Sequence, residues 1–309
     1  MNKWKMPQKS KENFLFPVCL KKLGISKSGY YDWKRRDKSK TAKRKERVIE
    51  KIKEVHKKSY ENYGAPKITR ELRKQGEVIS ERTVGKYMRE NGIKAQYIKH
   101  RTKTTRDCDY STTLANILKR DFQPDEPNAA WCTDITYIWT QEEGFVYLTS
   151  IMDLYSRKII SWKLSRTMEV KDVLECLEKA KERRNMEKPV VIHSDRGVQF
   201  VSKWYQELTA GMKRSYSAKG NPWDNACIES FHSLIKREWL NRKKIIDYQM
   251  AYQMVFEYIE TFYNTVRIHS HCDYESPNNY ERSFIKKNVI QLNVVRILDI
   301  VPNLSSLPV

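Results

Sequence analysis

Three carboxylates stand where an otherwise apolar chain has little reason to put them. Asp134 interrupts Trp131-Cys-Thr-Asp-Ile-Thr-Tyr137, Asp195 ends the run in Val190-Val-Ile-His-Ser-Asp-Arg-Gly197, and Glu229 lies in the helical pattern Asn225-Ala-Cys-Ile-Glu-Ser-Phe231. An acid in an apolar strand costs stability unless it is paired, protonated or bound to metal, so two such exceptions mark a candidate site. Carboxylate oxygens completed by water suit Mg²⁺ or Mn²⁺. Two such ions roughly 3.5–4 Å apart can activate an attacking oxygen and stabilise a leaving one at a phosphodiester. Ser233 and Lys236 follow Glu229 at i+4 and i+7, which sets Lys236 on the glutamate's face of the helix, where a cation could hold a phosphate.

The elements that must position these acids read as alternating strands and helices. Residues 130 to 138, 145 to 152 and 158 to 164 are β-rich runs separated by the turns Glu142-Glu143-Gly144 and Tyr155-Ser156-Arg157, which predicts an antiparallel meander. Val170, Val173, Leu174 and Leu177 then line one side of a helix, and Val190-Val-Ile192 is a short strand. A helix around Trp204, Tyr205 and Leu208, a fifth strand at Met212 to Ser217, and a helix over 224 to 240 with Ile228, Phe231 and Ile235 inward complete the order. That order resembles the ribonuclease H-like α/β fold, a mixed five-stranded sheet flanked by helices. The resemblance implies that the first and fourth strands lie side by side, bringing Asp134 and Asp195 together, with Glu229 presented by the crossing helix.

Charge is distributed unevenly. The first 120 residues hold 34 lysines and arginines against 13 acids, whereas the remaining 189 hold 25 of each sign, so the whole net charge of +21 belongs to the N-terminal part. This is the footprint of a nucleic-acid-binding segment ahead of a balanced domain, or else a solvated basic face. Within it, Val48, Ile52 and Val55 make an apolar stripe on a helix over 43 to 58. Ala65-Pro66 opens a second helix that Gly76 ends, and Ser80 caps a third carrying Val84, Tyr87 and Met88 up to Asn91-Gly92. This small all-α unit predicts a helix-turn-helix whose last helix exposes Arg82, Lys86 and Arg89 to a DNA groove. Leu20 to Trp33 reads as a further small helical unit.

Other classes are disfavoured. The six cysteines form no Cys-x-x-Cys pair, which signals neither a disulfide framework nor a thiolate zinc site and fits a reducing cytoplasm. The apolar run Phe14 to Leu20 is split by Pro17 and closed by Lys21-Lys22, so it does not read as a signal peptide, and no segment approaches the ~20 apolar residues of a membrane helix.

Three longer motifs narrow the reading. His193-Ser-Asp-Arg-Gly-Val-Gln-Phe200, Ala218-Lys-Gly-Asn-Pro-Trp-Asp-Asn-Ala226 leading into Glu229-Ser-Phe231, and Tyr263-Asn-Thr-Val-Arg-Ile-His269 followed by Ser276-Pro277 resemble the DDE transposases of bacterial insertion sequences. The resemblance is to the second-reading-frame product of the IS-three family, whose catalytic core is shared with retroviral integrases, and it covers roughly residues 20 to 283. It implies that Asp134, Asp195 and Glu229 are the catalytic and metal-binding acids of Mg²⁺- or Mn²⁺-dependent DNA end cleavage and strand transfer, with two ions, and that Lys236 is a DNA-binding residue. It also implies that Tyr60-Glu-Asn-Tyr-Gly-Ala-Pro-Lys-Ile68 opens the helix-turn-helix-like segment. The expected partners are double-stranded DNA at element ends and target, further protomers on that DNA, and the product of an upstream frame, at the bacterial nucleoid and away from membranes. The expected organisation is a basic helical segment over 1–42, a helix-turn-helix-like DNA-binding domain over 43–100, a linker over 101–124, the catalytic core over 125–283 and a tail over 284–309, an added strand or chance extension. The interval from Asp195 to Glu229 is slightly shorter than the family's usual one. A non-catalytic DNA-binding regulator and a ribonuclease H-like nuclease are the alternatives.

Several residues carry two readings. Asp153 is a structural hydrogen-bonding group or a further ligand, and His193 a core histidine or an aid to metal or DNA. Asp224 and Asn225 are caps of the Glu229 helix, or Asn225 orients a ligand. His269, His271 and Cys272 resemble half a zinc site. Trp131, Trp162, Trp204 and Trp239 read as core, and Trp223 as a platform for an unpaired base.

Overall fold

The computed structural model describes Gly24 and residues 26–35, 37–96, 114–184 and 190–300. The apolar run at 14–20 and much of the expected linker lie outside the described residues. The chain falls into two compact units, residues 1–54 and 55–309.

In the first unit a short helix, α1 (Lys27–Arg35), precedes the start of α2 (Lys40–Lys58). Val48, Ile52 and Val55 are buried along α2, as their spacing predicts. In the second unit Pro66 occupies the first turn of α3 (Ala65–Lys74), and Gly76 follows it at φ +82°, a left-handed conformation that glycine adopts without a Cβ clash. Ser80 Oγ accepts from Thr83 N at 3.2 Å and caps α4 (Glu81–Glu90). Ile68 and Leu72 of α3 and Val84 and Met88 of α4 are buried.

The sheet has the order β3-β2-β1-β4-β5, built from β1 (Ala130–Thr140), β2 (Gly144–Asp153), β3 (Ile159–Ser165), β4 (Val191–Ser194) and β5 (Lys213–Tyr216). The first three strands form the antiparallel meander, while β4 runs parallel to both β1 and β5. Helix α5 (Val170–Arg183) makes the crossover from β3 to β4, and α6 (Val198–Val201) with α7 (Lys203–Leu208) makes the one from β4 to β5. The strands' two-residue period splits the apolar residues between two cores. Ala130, Cys132 and Ile138 pack with Ile228, Phe231 and Ile235 of α8 (Ala226–Glu238), whereas Trp131 and Ile151 pack with Val173, Cys176 and Leu177 of α5. The first core also takes α9 (Tyr248–Phe256) and the π-helical turn Glu257–Tyr263 that continues it.

Two expectations change. The segment from Phe284 is not an added strand: α10 runs unbroken from Pro277 to Ile300, across the expected core–tail boundary. Trp204 is not core but 63 % exposed, because α7 turns the adjacent Tyr205 inward and successive residues of a helix point about 100° apart.

Candidate active site

Pairing of β1 with β4 ends at Cys132 opposite His193. Asp134 and Asp195 both stand two residues beyond that couple, Asp195 just past the end of β4 and Asp134 within β1 where its pairing with β4 has stopped, so a crevice opens between the two strands. Helix α8 crosses the same face and carries Glu229 in its first turn. With the interval of this chain, Glu229 comes near enough to both aspartates to feel their charge. Asp134 is half-buried, and Asp195 and Glu229 are open to solvent on the cleft side.

The acids feel one another's charge. Loss of solvation at the cleft wall, then repulsion from Asp134, pushes the Asp195 carboxyl up to about 6, against a lowering hydrogen bond from Gly197 N. Glu229 is raised by the same loss of solvation, then by Asp134 and Asp195. Backbone donors fix the aspartates: Gly197 N donates to Asp195 Oδ1 at 2.9 Å and Ile135 N to Asp134 Oδ1 at 2.8 Å. A Cβ on Gly197 would stand 3.1 Å from Asp195 Oδ1, so the absence of a side chain there allows the close approach.

A residue that sequence spacing passed over completes the arrangement. His232, three residues after Glu229 and 5 % exposed, places Nδ1 3.3 Å from Asp134 Oδ2 and Nε2 3.2 Å from Ser150 Oγ. Ser150 is the cross-strand partner of Asp134. With a carboxylate at Nδ1, the tautomer assigned from the partners is Nδ1–H donating to Asp134, with Nε2 accepting from Ser150. The signal was present as Glu229-Ser-Phe-His232, since i+3 shares a helix face as i+4 does.

An all-oxygen acidic cluster whose members repel one another is a hard donor set that a divalent cation relieves. Beside it, Asn225 Oδ1 and Thr133 Oγ1 are buried without a hydrogen-bond partner, at one turn before Glu229 and one residue before Asp134. Among the described residues no group of three His, Cys, Asp or Glu side chains is already set to hold a metal ion. The residues present fit Mg²⁺ or Mn²⁺.

Lys236 Nζ donates to Thr136 Oγ1 at 2.6 Å and lies 4.6 Å from the Tyr137 ring centroid, so it flanks β1 two residues beyond Asp134. Arg82, Lys86 and Arg89 are exposed together on one face of α4, opposite buried Val84 and Met88. Trp223 is 69 % exposed in the short 3-10 turn Pro222–Asn225 that leads into α8.

The remaining candidates have structural partners. Asp153 accepts from Asn128 N and Tyr155 N and sits opposite Trp131, three residues along β2 from Ser150 and so on the other face of the sheet from Asp134. His193 is enclosed between Ser215 Oγ and Ser217 Oγ, and burial pulls its pKa down to about 4, so it is a neutral core residue. Neither Asp224 nor Asn225 caps α8 with its side chain. Asp224 instead accepts from Arg120, Asn116 and Ala218 N, and Asn225 Nδ2 donates to Thr133 O. Their side chains tie the helix start to neighbouring segments, a demand that local spacing does not reveal. His269 lies beside Arg267, His271 meets Tyr155 O and Cys272 donates to Ser156 O, so each has a structural partner.

The chain matches the Integrase core domain family over residues 124–222 and again over 210–277, and the HTH-like domain family over 43–101. It is 37 % identical over 246 residues to the transposase for insertion sequence element IS904 of Lactococcus lactis, covering 79 % of this chain and 97 % of that one. It is 34 % identical over 278 residues to the transposase InsF for insertion sequence IS3A of Escherichia coli, covering 89 % of this chain and 96 % of that one. Among solved structures it is similar to the HTLV-2 integrase catalytic core domain in complex with magnesium, with 16 % identity, coverage of 51 % of this chain and 98 % of that one, and a TM-score of 0.38.

Proposed function

This chain belongs to the IS3-family transposases, and from that premise we propose that Asp134, Asp195 and Glu229 are its catalytic triad for DNA end cleavage and strand transfer. The observation that carries the reading is the convergence of three mutually repelling carboxylates, one within β1 where its pairing with β4 stops, one just past the end of β4 and one in the first turn of α8. Two Mg²⁺ or Mn²⁺ ions held by these acids would supply activation of the attacking oxygen and charge neutralisation at the leaving one.

The chain's own groups do the positioning. His232 and the Ile135 and Gly197 amides orient the two aspartates, and Lys236 places a cation beside β1 for the phosphate that follows the scissile one. Cleavage frees a 3′-hydroxyl, which attacks a target phosphodiester; the bond to the target forms as the target's own 3′-oxygen leaves, with no covalent protein intermediate. The exposed face of Arg82, Lys86 and Arg89 on α4 takes duplex DNA through its phosphates and groove. Two or more protomers on paired ends, with an upstream-frame product aiding end recognition at the nucleoid, complete the proposal. Among the described residues no helix is long and apolar enough to cross a membrane.

The test is Mn²⁺-dependent nicking and joining of supercoiled plasmid at low salt by wild type, Asp134→Asn and Glu229→Gln. Loss of both products in both variants is expected. Joining retained in either variant would sink the triad, and nicking without any joined product would favour a plain nuclease.

A further inference from the structure

The segment that joins β5 to α8 is tied at both ends to the residues beside the aspartates. At one end Ser217 N donates at 3.0 Å to Ser194 O, one residue before Asp195. At the other, Asn225 Nδ2 donates at 3.2 Å to Thr133 O, one residue before Asp134. Between these ties Gly220, at φ +70°, turns the chain, and the 3-10 turn Pro222–Asn225 carries Trp223. The segment therefore borders the mouth of the acid cluster.

Asp224 holds this border in place. Its carboxylate is buried, and three donors reach it: Ala218 N at 2.8 Å, Asn116 Nδ2 at 2.9 Å and Arg120 Nε at 2.6 Å. Asn116 Oδ1 in turn accepts from Lys119 N at 2.8 Å, while Ser215 Oγ accepts from the Ile117 and Leu118 amides, each at 2.9 Å. One buried carboxylate thus fixes two surface turns together. The second turn is strained, since Lys119 and Arg120, neither a glycine, take left-handed φ values of +47° and +63° in succession. Such backbone persists only where its surroundings over-determine it, and it gathers at ligand clamps. What the two turns present is a ring and a cation. Trp223 and Lys119 are both exposed, and among the described residues no ring or hydrogen-bonding group meets the indole and no acid meets the Lys119 ammonium. A lone surface tryptophan is ordinary. A tryptophan and a lysine fixed by one buried acid beside a cluster of carboxylates are a built surface.

We propose that Trp223 and Lys119 clamp an unpaired nucleotide at an opened DNA end, its base stacking on the indole and its phosphate meeting the ammonium. The occupant follows from the chemistry. Inside a duplex each base is covered on both faces by its neighbours, so an indole on a surface turn takes a base only where the strands have parted. A cation without a partner acid takes the phosphate of that nucleotide. A base held on Trp223 would keep the end from reclosing while its phosphodiester lies at the acids. The inference rests on the triad reading for the DNA end that lies there, but its test needs no catalysis.

The full chain is titrated in EDTA with a labelled duplex that ends in a short run of unpaired thymidines on each strand, and with the same duplex fully paired. Trp223→Ala should bind the opened end roughly tenfold more weakly, the scale of one lost base–aromatic stack, and the paired duplex within about twofold of wild type. Trp223→Phe, which keeps a ring, should bind both as wild type does. Lys119→Ala should flatten the salt dependence of opened-end binding by about 0.7 in log–log slope, the share of one single-strand phosphate. With 5-iodouracil in place of the unpaired thymidines, irradiation should leave the adduct on Trp223. Unchanged opened-end affinity in Trp223→Ala, equal losses on both DNAs, or adducts confined to other segments would each overturn the proposal. Because these readouts are metal-free, they fail independently of the plasmid assay on Asp134→Asn.

Discussion

His232 Nδ1 lies 3.3 Å from Asp134 Oδ2, and its other ring nitrogen is held by Ser150, the residue paired with Asp134 across the sheet. One helix thus carries both an acid of the cluster and the group that aims another acid. If this contact orients Asp134 as a ligand, His232→Asn should raise the Mn²⁺ concentration needed for half-maximal nicking by about 10–100-fold, the usual cost of removing such an outer partner. Ser150→Ala should do the same more weakly. A metal titration unchanged in His232→Asn would show that the contact serves only packing.

Gly197 is expected to be intolerant of the smallest side chain. Its backbone is at φ −57°, open to any residue, but an added Cβ would stand 3.1 Å from Asp195 Oδ1 and 3.2 Å from Gln199 Oε1. Gly197→Ala should therefore fold with a nearly unchanged melting temperature and nick at least about tenfold more slowly, since small misplacements of a reacting group are costly. Wild-type activity in this variant would mean that Asp195 has another productive rotamer.

The loss of solvation at Asp195, together with repulsion from Asp134, predicts a pH dependence of stability. Asp195 is raised from its ordinary 3.8 to about 6, so between those values the folded protein binds more protons than the unfolded chain. Stability of the metal-free protein therefore falls as pH rises through this window, and the destabilisation is complete above it. Asp195→Asn should melt higher than wild type at pH 7.5 in EDTA, with the gap closing as the pH is lowered towards about 4. Thermal melts across that range check it; a gap that widens on acidification would contradict the sign.

The proposed DNA-binding face on α4 predicts a change in salt response rather than a loss of fold. Arg82→Ala/Lys86→Ala/Arg89→Ala should flatten the log–log salt dependence of duplex binding by roughly 2 to 3, at about 0.9 for each phosphate no longer neutralised. Binding isotherms between low and moderate salt would show it, and an unaltered slope would move the DNA-binding face elsewhere.

Glu238, nine residues after Glu229 on α8, forms a buried ion pair with Arg267 of the Tyr263–His269 motif, 2.7 Å on each of two nitrogens, and accepts from Tyr258 at 2.8 Å. Burial opposes its ionisation, but Arg267 prevails and its pKa is lowered. Glu238→Ala strands a buried guanidinium and should cost about 3–5 kcal/mol of stability, measured by denaturant unfolding. The motif's arginine is then explained as a support of the helix that presents Glu229.

Much of this protein was determined by sequence alone, because its strongest signals are local. Asp134 and Asp195 stood out as acids in apolar runs, Ser80 and Gly76 announced helix ends, and the period of β1 assigned its residues to two faces before any packing was known. Tertiary structure decided what local pattern cannot carry. Which nitrogen of His232 meets Asp134 and which meets Ser150, and that Asp224 ties down Arg120 and Asn116 rather than capping, depend on partners 82 to 108 residues away, while the exclusion of a Cβ at Gly197 depends on the rotamers of Asp195 and Gln199 and the exposure of Trp204 on which face of α7 meets the core.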